Sequence, residues 1–179
     1  SANGYVLAVG ACTSNGALGH AAVYAYNLAS NAWAKRGGNI NGHIAGEWTG
    51  ISVSLSSDGN TVAVGARGEP EYVYTFVSSA WTQVGCAIAE EGVGDEAGTS
   101  VSLSSDGSVL AVGAPYNDGD GTLENRGHVR IFKLVAGTCP TSPPTSLPTT
   151  ALPTSKPTTA LPTFQPTTAQ PTTALPTSQ

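Results

Sequence analysis

The 179-residue sequence predicts an all-β fold built from repeated units and followed by an extended tail. The main observation is a repeat: residues 52–66 (SVSLSSDGNTVAVGA) and 100–114 (SVSLSSDGSVLAVGA) agree at 12 of 15 positions, at an offset of 48 residues. A period of that size is typical of small β units that cover each other's apolar faces. Two further observations support it, an alternation of apolar and polar residues without helical periodicity and an abrupt change of composition after Gly137.

Each unit is predicted to contain four short strands, which are clearest in the second unit. Residues 51–55 alternate apolar side chains with serines, as a strand with one buried face requires. Ser57 to Gly59 (Ser-Asp-Gly) then turns the chain. Residues 61–66 are small and apolar, which indicates a strand buried on both faces. Alternating aromatic residues in 72–76 and a tryptophan segment, 81–88, supply the third and fourth strands.

The strand count predicts an incomplete array. The chain opens in the turn before a second strand, at Ala2-Asn3-Gly4, and its third unit stops near Leu134 without a tryptophan segment. The three units therefore supply three, four and three strands. Four strands in each repeat is the pattern of a β-propeller, which needs about four blades or more. We expect residues 1–138 to be a propeller fragment of about two and a half to three blades, whose partners include upstream blades of the same protein.

The tail, residues 139–179, has a different composition from the repeats. All 22 glycines lie at or before Gly137, and ten of the 12 prolines lie at or after Pro140. A Pro/Thr-rich segment of this kind buries little and tends toward polyproline II, so we expect a semi-rigid spacer. The composition is also that of O-glycosylated stalks, and an unmodified disordered linker is the alternative.

Charge and cysteine content narrow the class of protein. The chain carries 7 basic and 12 acidic residues, a net charge of −5, which disfavours a nucleic-acid partner. The sequence has no apolar stretch near the ~20 residues of a membrane span. Three cysteines (Cys12, Cys86 and Cys139) leave one unpaired if a disulfide forms, and three free thiols are the alternative. A secreted, cell-surface or cell-wall location is expected.

Several short motifs in fixed order resemble FG-GAP repeats, the blades of propellers similar to the head of integrin alpha subunits. They are Ala97-Gly98 before a strand, Gly113-Ala114-Pro115 after the next strand, and the segment 127–132 (GHVRIF). Thr49-Gly50 and Gly65-Ala66-Arg67 are weaker versions in the unit before. The resemblance covers about residues 1–134. It implies an extracellular seven-bladed propeller that binds a ligand, usually without catalysis.

The resemblance also raises the question of calcium, because many members of that family carry an Asp-rich loop whose oxygens suit this cation. At the matching positions only Asp58 and Asp106 keep a carboxylate, and serines replace the other acids, so a plain hairpin turn is the preferred interpretation. A stronger calcium candidate is the third-unit loop, whose oxygen donors are Asn117, Asp118, Asp120 and Glu124. A solvated acidic loop is the alternative there.

Two functions follow from these observations. The first is a non-catalytic adhesion or recognition module, in which the propeller's rim loops bind an extracellular protein or glycan and the tail acts as a spacer. The second is a secreted hydrolase that would use acidic loop residues, including Asp95, Glu96, Asp118 and Asp120, as general acid and base. Such a pair needs fixed geometry and pKa values driven apart by burial. Exposed glycine-rich loops are not expected to provide either, so the sequence favours recognition.

Overall fold

The computed structural model describes residues 1–67, 72–89, 91–119, 125–135 and 138. These residues form an all-β structure of three antiparallel sheets, which confirms the predicted fold class at that level. The predicted tail, 139–179, lies outside the described residues. No helix in the described part of the chain has the length and apolar character needed to cross a membrane.

The strands follow the predicted division into three units. Sheet 1 has the order β1-β2-β3, with the two-residue β4 paired to β2; sheet 2 has the order β5-β6-β7-β8, and sheet 3 the order β9-β10-β11. Their bounds are β1 (Val6–Gly10), β2 (His20–Asn27), β3 (Ala32–Lys35), β4 (Ile40–Asn41), β5 (Ser52–Leu55), β6 (Thr61–Gly65), β7 (Tyr72–Val77), β8 (Ala80–Gln83), β9 (Ser100–Leu103), β10 (Val109–Ala114) and β11 (His128–Lys133).

Three details differ from the predicted strands. Sheet 1 has four strands, where three were expected, because the two-residue strand β4 follows β3 and pairs with β2. The fourth strand of sheet 2, β8, ends at Gln83, whereas the tryptophan segment was expected to continue to Ile88. Beyond β8 the chain turns through Gly85, which has a positive φ of 67°, so the extended run breaks there. The loop after β1 contains one helical turn, α1 (Ser14–Ala17), although no helix was predicted.

The three sheets stack face to face in chain order. We call the face on the side of the earlier sheets the front face and the opposite one the back face. The front face of sheet 2 carries Val62 and Val64, which pack against Ala21, Val23 and Ile40 of sheet 1. Because successive side chains of a strand point to opposite faces, Ala63 lies on the back face of the same strand. The central strand β6 is therefore covered on both faces, as its small apolar residues predicted.

The second interface repeats the first with equivalent residues. Ala63 and Val73 of sheet 2, together with Ile88 in the segment after β8, pack against Leu110 and Val112 of sheet 3. The strand registers establish the equivalence, because Leu7 pairs with Tyr24, Val62 with Tyr74, and Leu110 with Phe132. The described residues therefore contain two copies of one sheet-to-sheet contact.

Two glycines, Gly10 in β1 and Gly65 in β6, explain why the contact between sheets needs small residues in these strands. A Cβ atom added to Gly10 or Gly65 would overlap the carbonyl oxygen of Gly50 or Gly98, respectively. Gly50 and Gly98 themselves have φ angles of 88° and 84°, a region that favours glycine. Within each joint between sheets, two glycines thus allow backbone to approach backbone.

Arg36 connects sheet 1 to sheet 2, and the residue at the equivalent position of the next unit is not an arginine. Its guanidinium donates to the carbonyl of Gly59 at 2.8 Å and to Asn60 Oδ1 at 2.5 Å, and it lies 4.2 Å from the centre of the Phe76 ring. Its carbonyl accepts a hydrogen bond of 2.8 Å from Trp81 Nε1. At the next joint the equivalent position is Val84, which packs against the apolar core between sheets 2 and 3.

The connections divide between two edges of the stack. Short turns, at Ser1 to Tyr5, 56–60 and 104–108, form the short-turn edge, where the amide of Ala2 donates to the Ser57 carbonyl (2.9 Å) and that of Ser57 to the Ser105 carbonyl (2.8 Å). The long-loop edge is formed by 11–19, by the inter-sheet connections 42–51 and 91–99, and by the described ends of the loops after β6 and β10. Loop length therefore varies at one edge only.

The cysteines have different states. Cys86 is disulfide-bonded, so the alternative of three free thiols is wrong. Cys12 is a free, half-buried thiol in the loop after β1. Cys139 lies outside the described residues.

Candidate recognition site at the long-loop edge

The two inter-sheet connections place a carboxylate at the same buried position. Gly46-Glu47-Trp48-Thr49-Gly50 and Gly94-Asp95-Glu96-Ala97-Gly98 are one 48-residue period apart, and Glu47 and Asp95 are both only 7% exposed. The backbone geometry repeats as well, since Trp48 and Glu96 have φ angles of 54° and 53°. These positive φ values for non-glycine residues mark equivalent turns in the two connections.

Arg67 lies between the two connections and contacts both. Its guanidinium carbon is 4.9 Å from the centre of the Trp48 ring, a cation–π contact, and its Nη2 donates to Glu96 Oε1 in an ion pair. The hydrogen bond with Glu96 raises the pKa of Arg67 above its usual value. The Arg67 amide donates to the Glu47 carbonyl at 2.5 Å. We call Trp48, Arg67, Glu96 and the half-exposed Tyr116 the junction patch.

Asp95 joins the second connection to the loop after β10. Its Oδ2 accepts hydrogen bonds from the Gly92 amide at 2.9 Å and from Asn117 Nδ2 at 2.6 Å. Its backbone carbonyl accepts from the Tyr116 amide at 3.2 Å. Asn117 is buried as well. The expectation that the acidic residues of these loops are solvent-exposed is therefore wrong for Asp95, because this carboxylate serves as the centre of a loop-to-loop hydrogen-bond network.

Glu91 is held by basic side chains at the start of β11. Its Oε2 lies 3.2 Å from His128 Nε2, and its Oε1 lies 3.8 Å from Arg130 Nη1. Arg130 is buried and also donates to the Ala89 carbonyl at 2.7 Å. Glu91 is thus held by contacts within the protein.

The predicted calcium ligands fall in two groups. Asp120 and Glu124 lie outside the described residues. Asn117 Oδ1 accepts from the Gly119 amide at 2.8 Å, and Asp118 Oδ1 accepts from the Asn125 amide at 2.8 Å. Within the described ranges, no group of three or more His, Cys, Asp or Glu side chains is arranged to hold a metal ion. Calcium binding by the whole loop stays a prediction.

Asp58 and Asp106 organise hairpin turns. Asp106 Oδ1 accepts from Ser104 Oγ (2.6 Å) and the Ser108 amide (3.0 Å), and Oδ2 accepts from Ser108 Oγ (2.7 Å). These bonds, that from Ser104 foremost, lower the pKa of Asp106 from 3.8 to about 2. Asp58 accepts in the same way from Ser56 and Asn60, and its pKa is lowered too, chiefly by the Ser56 hydroxyl.

The first unit shows that this turn does not need a carboxylate. Asn3 stands at the equivalent position, and its Oδ1 accepts from Ser1 Oγ at 2.8 Å and from the Tyr5 amide at 3.0 Å. A neutral amide oxygen thus makes two of the three local hydrogen bonds that Asp58 and Asp106 each accept. The geometry therefore supports the interpretation of Ser-Asp-Gly as a turn.

The junction patch itself was not predicted from the sequence. Arg67 appeared only as a departure from the Gly-Ala-Pro motif, at the position that proline (Pro115) occupies in the third unit. The 48-residue offset does align Glu47 with Asp95, and it was the available signal for two equivalent buried acids. The contact of Arg67 with Trp48 and Glu96 depends on how adjacent sheets stack, which a repeat alignment does not contain.

Two comparisons with known proteins bear on the family of this chain. Neither a scan against protein-family models nor a search of the curated proteins gave a match. The resemblance to FG-GAP repeats is therefore carried by the motifs of the sequence.

Proposed function

We propose that this chain is part of an extracellular β-propeller that recognises a protein or glycan through its long-loop edge. The observation that carries the proposal is the junction patch. There an aromatic ring, a guanidinium, a carboxylate and a half-exposed tyrosine lie at one edge, carried by the two inter-sheet connections and by the loops after β6 and β10. Aromatic residues and arginine are the types enriched at binding hot spots.

The patch is held in place, which suits binding better than a mobile loop would. Arg67 is fixed by a ring on one side, an ion pair on the other and its own backbone amide. Tyr116 lies two residues after the end of β10, and its amide donates to the carbonyl of Asp95 in the second connection. Pre-ordered side chains lose little conformational entropy when a ligand binds.

The propeller arrangement is proposed from the repeated contact between sheets. Two equivalent interfaces follow one another, and each stacks the back face of one sheet on the front face of the next. Repetition of one heterologous contact forms a ring when its rotation closes. Seven blades is the number that the FG-GAP resemblance implies.

The extracellular location has one structural support. Cys86 is disulfide-bonded, and disulfides persist mainly in secreted and surface proteins. The Pro/Thr-rich tail would then act as the spacer that separates the recognition edge from its anchor. Lys156 is the only charge in that tail, so an electrostatic role is not proposed for it.

The hydrolase alternative is weaker on these contacts. Asp95 accepts from Gly92 and Asn117, Glu96 is paired with Arg67, and Asp118 accepts from the Asn125 amide. Asp120, the fourth acid of that proposal, lies outside the described residues. Each of the three described acids has a structural partner that accounts for its position, so recognition is the better proposal.

The test is array binding by the complete chain, labelled on the tail, against glycans and extracellular proteins, with and without a calcium chelator. Arg67→Ala is expected to weaken binding to any ligand found by roughly tenfold or more, as loss of a hot-spot side chain does. The matched control is Lys35→Ala, which removes an exposed cation on β3, outside the patch.

Two outcomes would contradict the proposal. One is binding that Arg67→Ala and Tyr116→Ala leave unchanged while the chain retains its β-sheet circular dichroism. The other is hydrolysis, in a parallel glycosidase screen, that Asp95→Asn or Asp118→Asn abolishes. A loss of binding with chelator would instead assign the predicted calcium loop to the same edge.

A further inference from the structure

Hydrogen bonds show which residues are equivalent at the ends of β7 and β11. The Phe76 amide donates to the Asn60 carbonyl at 2.9 Å, and the Leu134 amide donates to the Ser108 carbonyl at 2.8 Å. Asn60 and Ser108 are one 48-residue period apart. Leu134 therefore occupies in sheet 3 the position that Phe76 occupies in sheet 2.

A turn of the same length follows both residues. In sheet 2, residues 78–79 form a two-residue turn with φ angles of 50° and 67°, and Val77 pairs with Ala80 across it. In the third unit, the Thr138 amide donates to the Val135 carbonyl at 3.2 Å. A bond between residues three apart closes such a turn. The chain after β11 therefore turns back as it does between β7 and β8.

The residue after this turn in sheet 2 is Trp81, which contacts the preceding sheet. Its Nε1 donates to the Arg36 carbonyl at 2.8 Å, and its Cδ1 lies 3.0 Å from where a Cβ atom on Gly37 would stand. In the third unit the residue one position beyond the matching turn is Cys139, whose equivalence to Trp81 rests on sequence position.

The segment that faces this position at the second joint contains Cys86. Arg36 and Val84 are equivalent, because their amides donate to the carbonyls of Val23 and Val73, respectively, each at 2.8 Å. Cys86 follows Val84 by two residues. It therefore belongs to the segment that matches the one contacted by the tryptophan ring at the first joint.

We propose that Cys86 forms its disulfide with Cys139. The bond takes the place, at the joint between sheets 2 and 3, of the contact that Trp81 makes with Arg36 at the joint between sheets 1 and 2. The number of cysteines agrees with this pairing, because the chain has three and Cys12 is a free thiol.

Apolar packing brings the same two segments to one place. Val84 and Leu134, which precede the two cysteines along the chain, both pack against the apolar core between sheets 2 and 3. Phe76, the equivalent of Leu134, has the guanidinium of Arg36, the equivalent of Val84, at 4.2 Å from its ring centre. The two segments therefore approach each other in the same way at both joints.

The bond has a chemical requirement and a structural consequence. Two S–H bonds break and one S–S bond forms, and an external low-molecular-weight disulfide, such as glutathione disulfide, takes up both electrons and both protons and becomes two thiols. The ring that the bond closes contains β9, β10 and β11. Sheet 3 is thereby tied covalently to sheet 2, and the Pro/Thr-rich tail is attached at a joint between sheets. The bond is independent of the recognition role of the long-loop edge.

Peptide mapping by mass spectrometry identifies the pairing. The complete chain is refolded from its reduced state with glutathione and glutathione disulfide, alkylated without reduction and digested with trypsin. Cleavage after lysine and arginine places the three cysteines in three different peptides. We expect the peptides of Cys86 and Cys139 to be linked to each other and Cys12 to be alkylated.

Urea unfolding measures what the bond does for the joint. Reduction of the wild-type chain is expected to raise the equilibrium constant for unfolding at least roughly tenfold. Cys86→Ser, Cys139→Ser and the double variant should match the reduced wild-type chain with or without reductant, because all three lack the same bond. Cys12→Ser is the matched control and should respond to reductant like the wild-type chain. Circular dichroism checks that each variant is folded.

Three results would overturn the proposal. The first is a linked peptide that contains Cys12, or one that joins Cys86 of two chains. The second is alkylation of Cys86 in the unreduced wild-type chain. The third is a folded Cys139→Ser variant whose urea unfolding still responds to reductant like that of the wild-type chain, since a different bond would then stabilise the joint.

Discussion

Leu7 and Leu110 occupy the same position in sheets 1 and 3, yet the first is half exposed and the second fully buried. Trp33 and Trp81 differ in a related way, because only Trp81 is covered, by Arg36 of the neighbouring sheet. Equivalent residues make the same strand pairs in both places. The difference shows that the local sequence determines the strands and their pairing, while the neighbouring sheet determines how much each side chain stabilises the fold.

The largest effect is expected from truncating the buried leucine. Leu110→Ala should lower the free energy of unfolding by about 2–5 kcal/mol, because it leaves a cavity between sheets 2 and 3. Leu7→Ala, the same change at the equivalent exposed position, should cost less than about 1 kcal/mol. Urea unfolding of the two variants makes the comparison. Equal losses would mean that sheets 2 and 3 do not share an interior.

Mutation of Trp81 in β8 and of Trp33 in β3 extends the comparison of covered and uncovered positions to the outer strands. Trp81→Ala removes the ring that packs on Phe76 and bonds to the Arg36 carbonyl, and about 2 kcal/mol of stability should be lost. Trp33→Ala, at the equivalent place on sheet 1, should cost less than about 1 kcal/mol. The measurement is thermal unfolding followed by circular dichroism. A larger loss for Trp33 would reverse the assignment of covered and uncovered faces.

Mutation of Arg36 tests the contact between sheets 1 and 2 that its guanidinium makes and that Val84 cannot make at the next interface. Arg36→Ala should cost about 1–2 kcal/mol, because it breaks two hydrogen bonds across the joint and a cation–π contact. Arg36→Lys should recover part of that loss, since lysine keeps the charge without the planar fork. The neighbouring exposed Lys35→Ala is the control, and it should leave urea unfolding nearly unchanged. No difference between Arg36→Ala and Lys35→Ala would remove Arg36 from the joint.

The smallest expected effect is the loss of stability when Asp106, in the hairpin turn before β10, is protonated at low pH. The pKa of Asp106 is lowered to about 2 in the folded protein, against 3.8 ordinarily. Its contribution to stability is therefore fully present above about pH 3.8 and is lost as the pH falls toward 2. Asp106→Asn should fold with the same turn, as Asn3 does in the first unit, and should lose less stability than the wild-type protein over that interval. An unchanged pH profile would contradict the role given to this carboxylate.

The sequence was sufficient to predict the strands because each strand leaves a local pattern. The alternation in β5 and β9, the Ser-Asp-Gly turns and the small apolar run of β6 all depend on neighbours along the chain. The end of β8 at Gln83 was missed, since apolar residues continue as far as Ile88, and the positive φ of Gly85 interrupts the strand.

The candidate site was predicted less well, because its contacts lie between units. Asp95 was expected to be exposed and is buried, since Asn117 of the following unit lies over it. Arg36 and Arg67 have no arginine at the equivalent positions of the next unit, where the residues are Val84 and Pro115, so comparison of the repeats gave no reason to choose them. A contact that only one of the repeated units makes cannot be detected by aligning the units with one another.

Hydroxyl-radical footprinting of the chain, read by mass spectrometry, is the most direct test that the repeated sheets stack face to face. The account predicts rapid oxidation of Leu7 and Ile131, together with strong protection of Leu110, Val62 and Val73. Similar oxidation rates at Leu7 and Leu110 would contradict it.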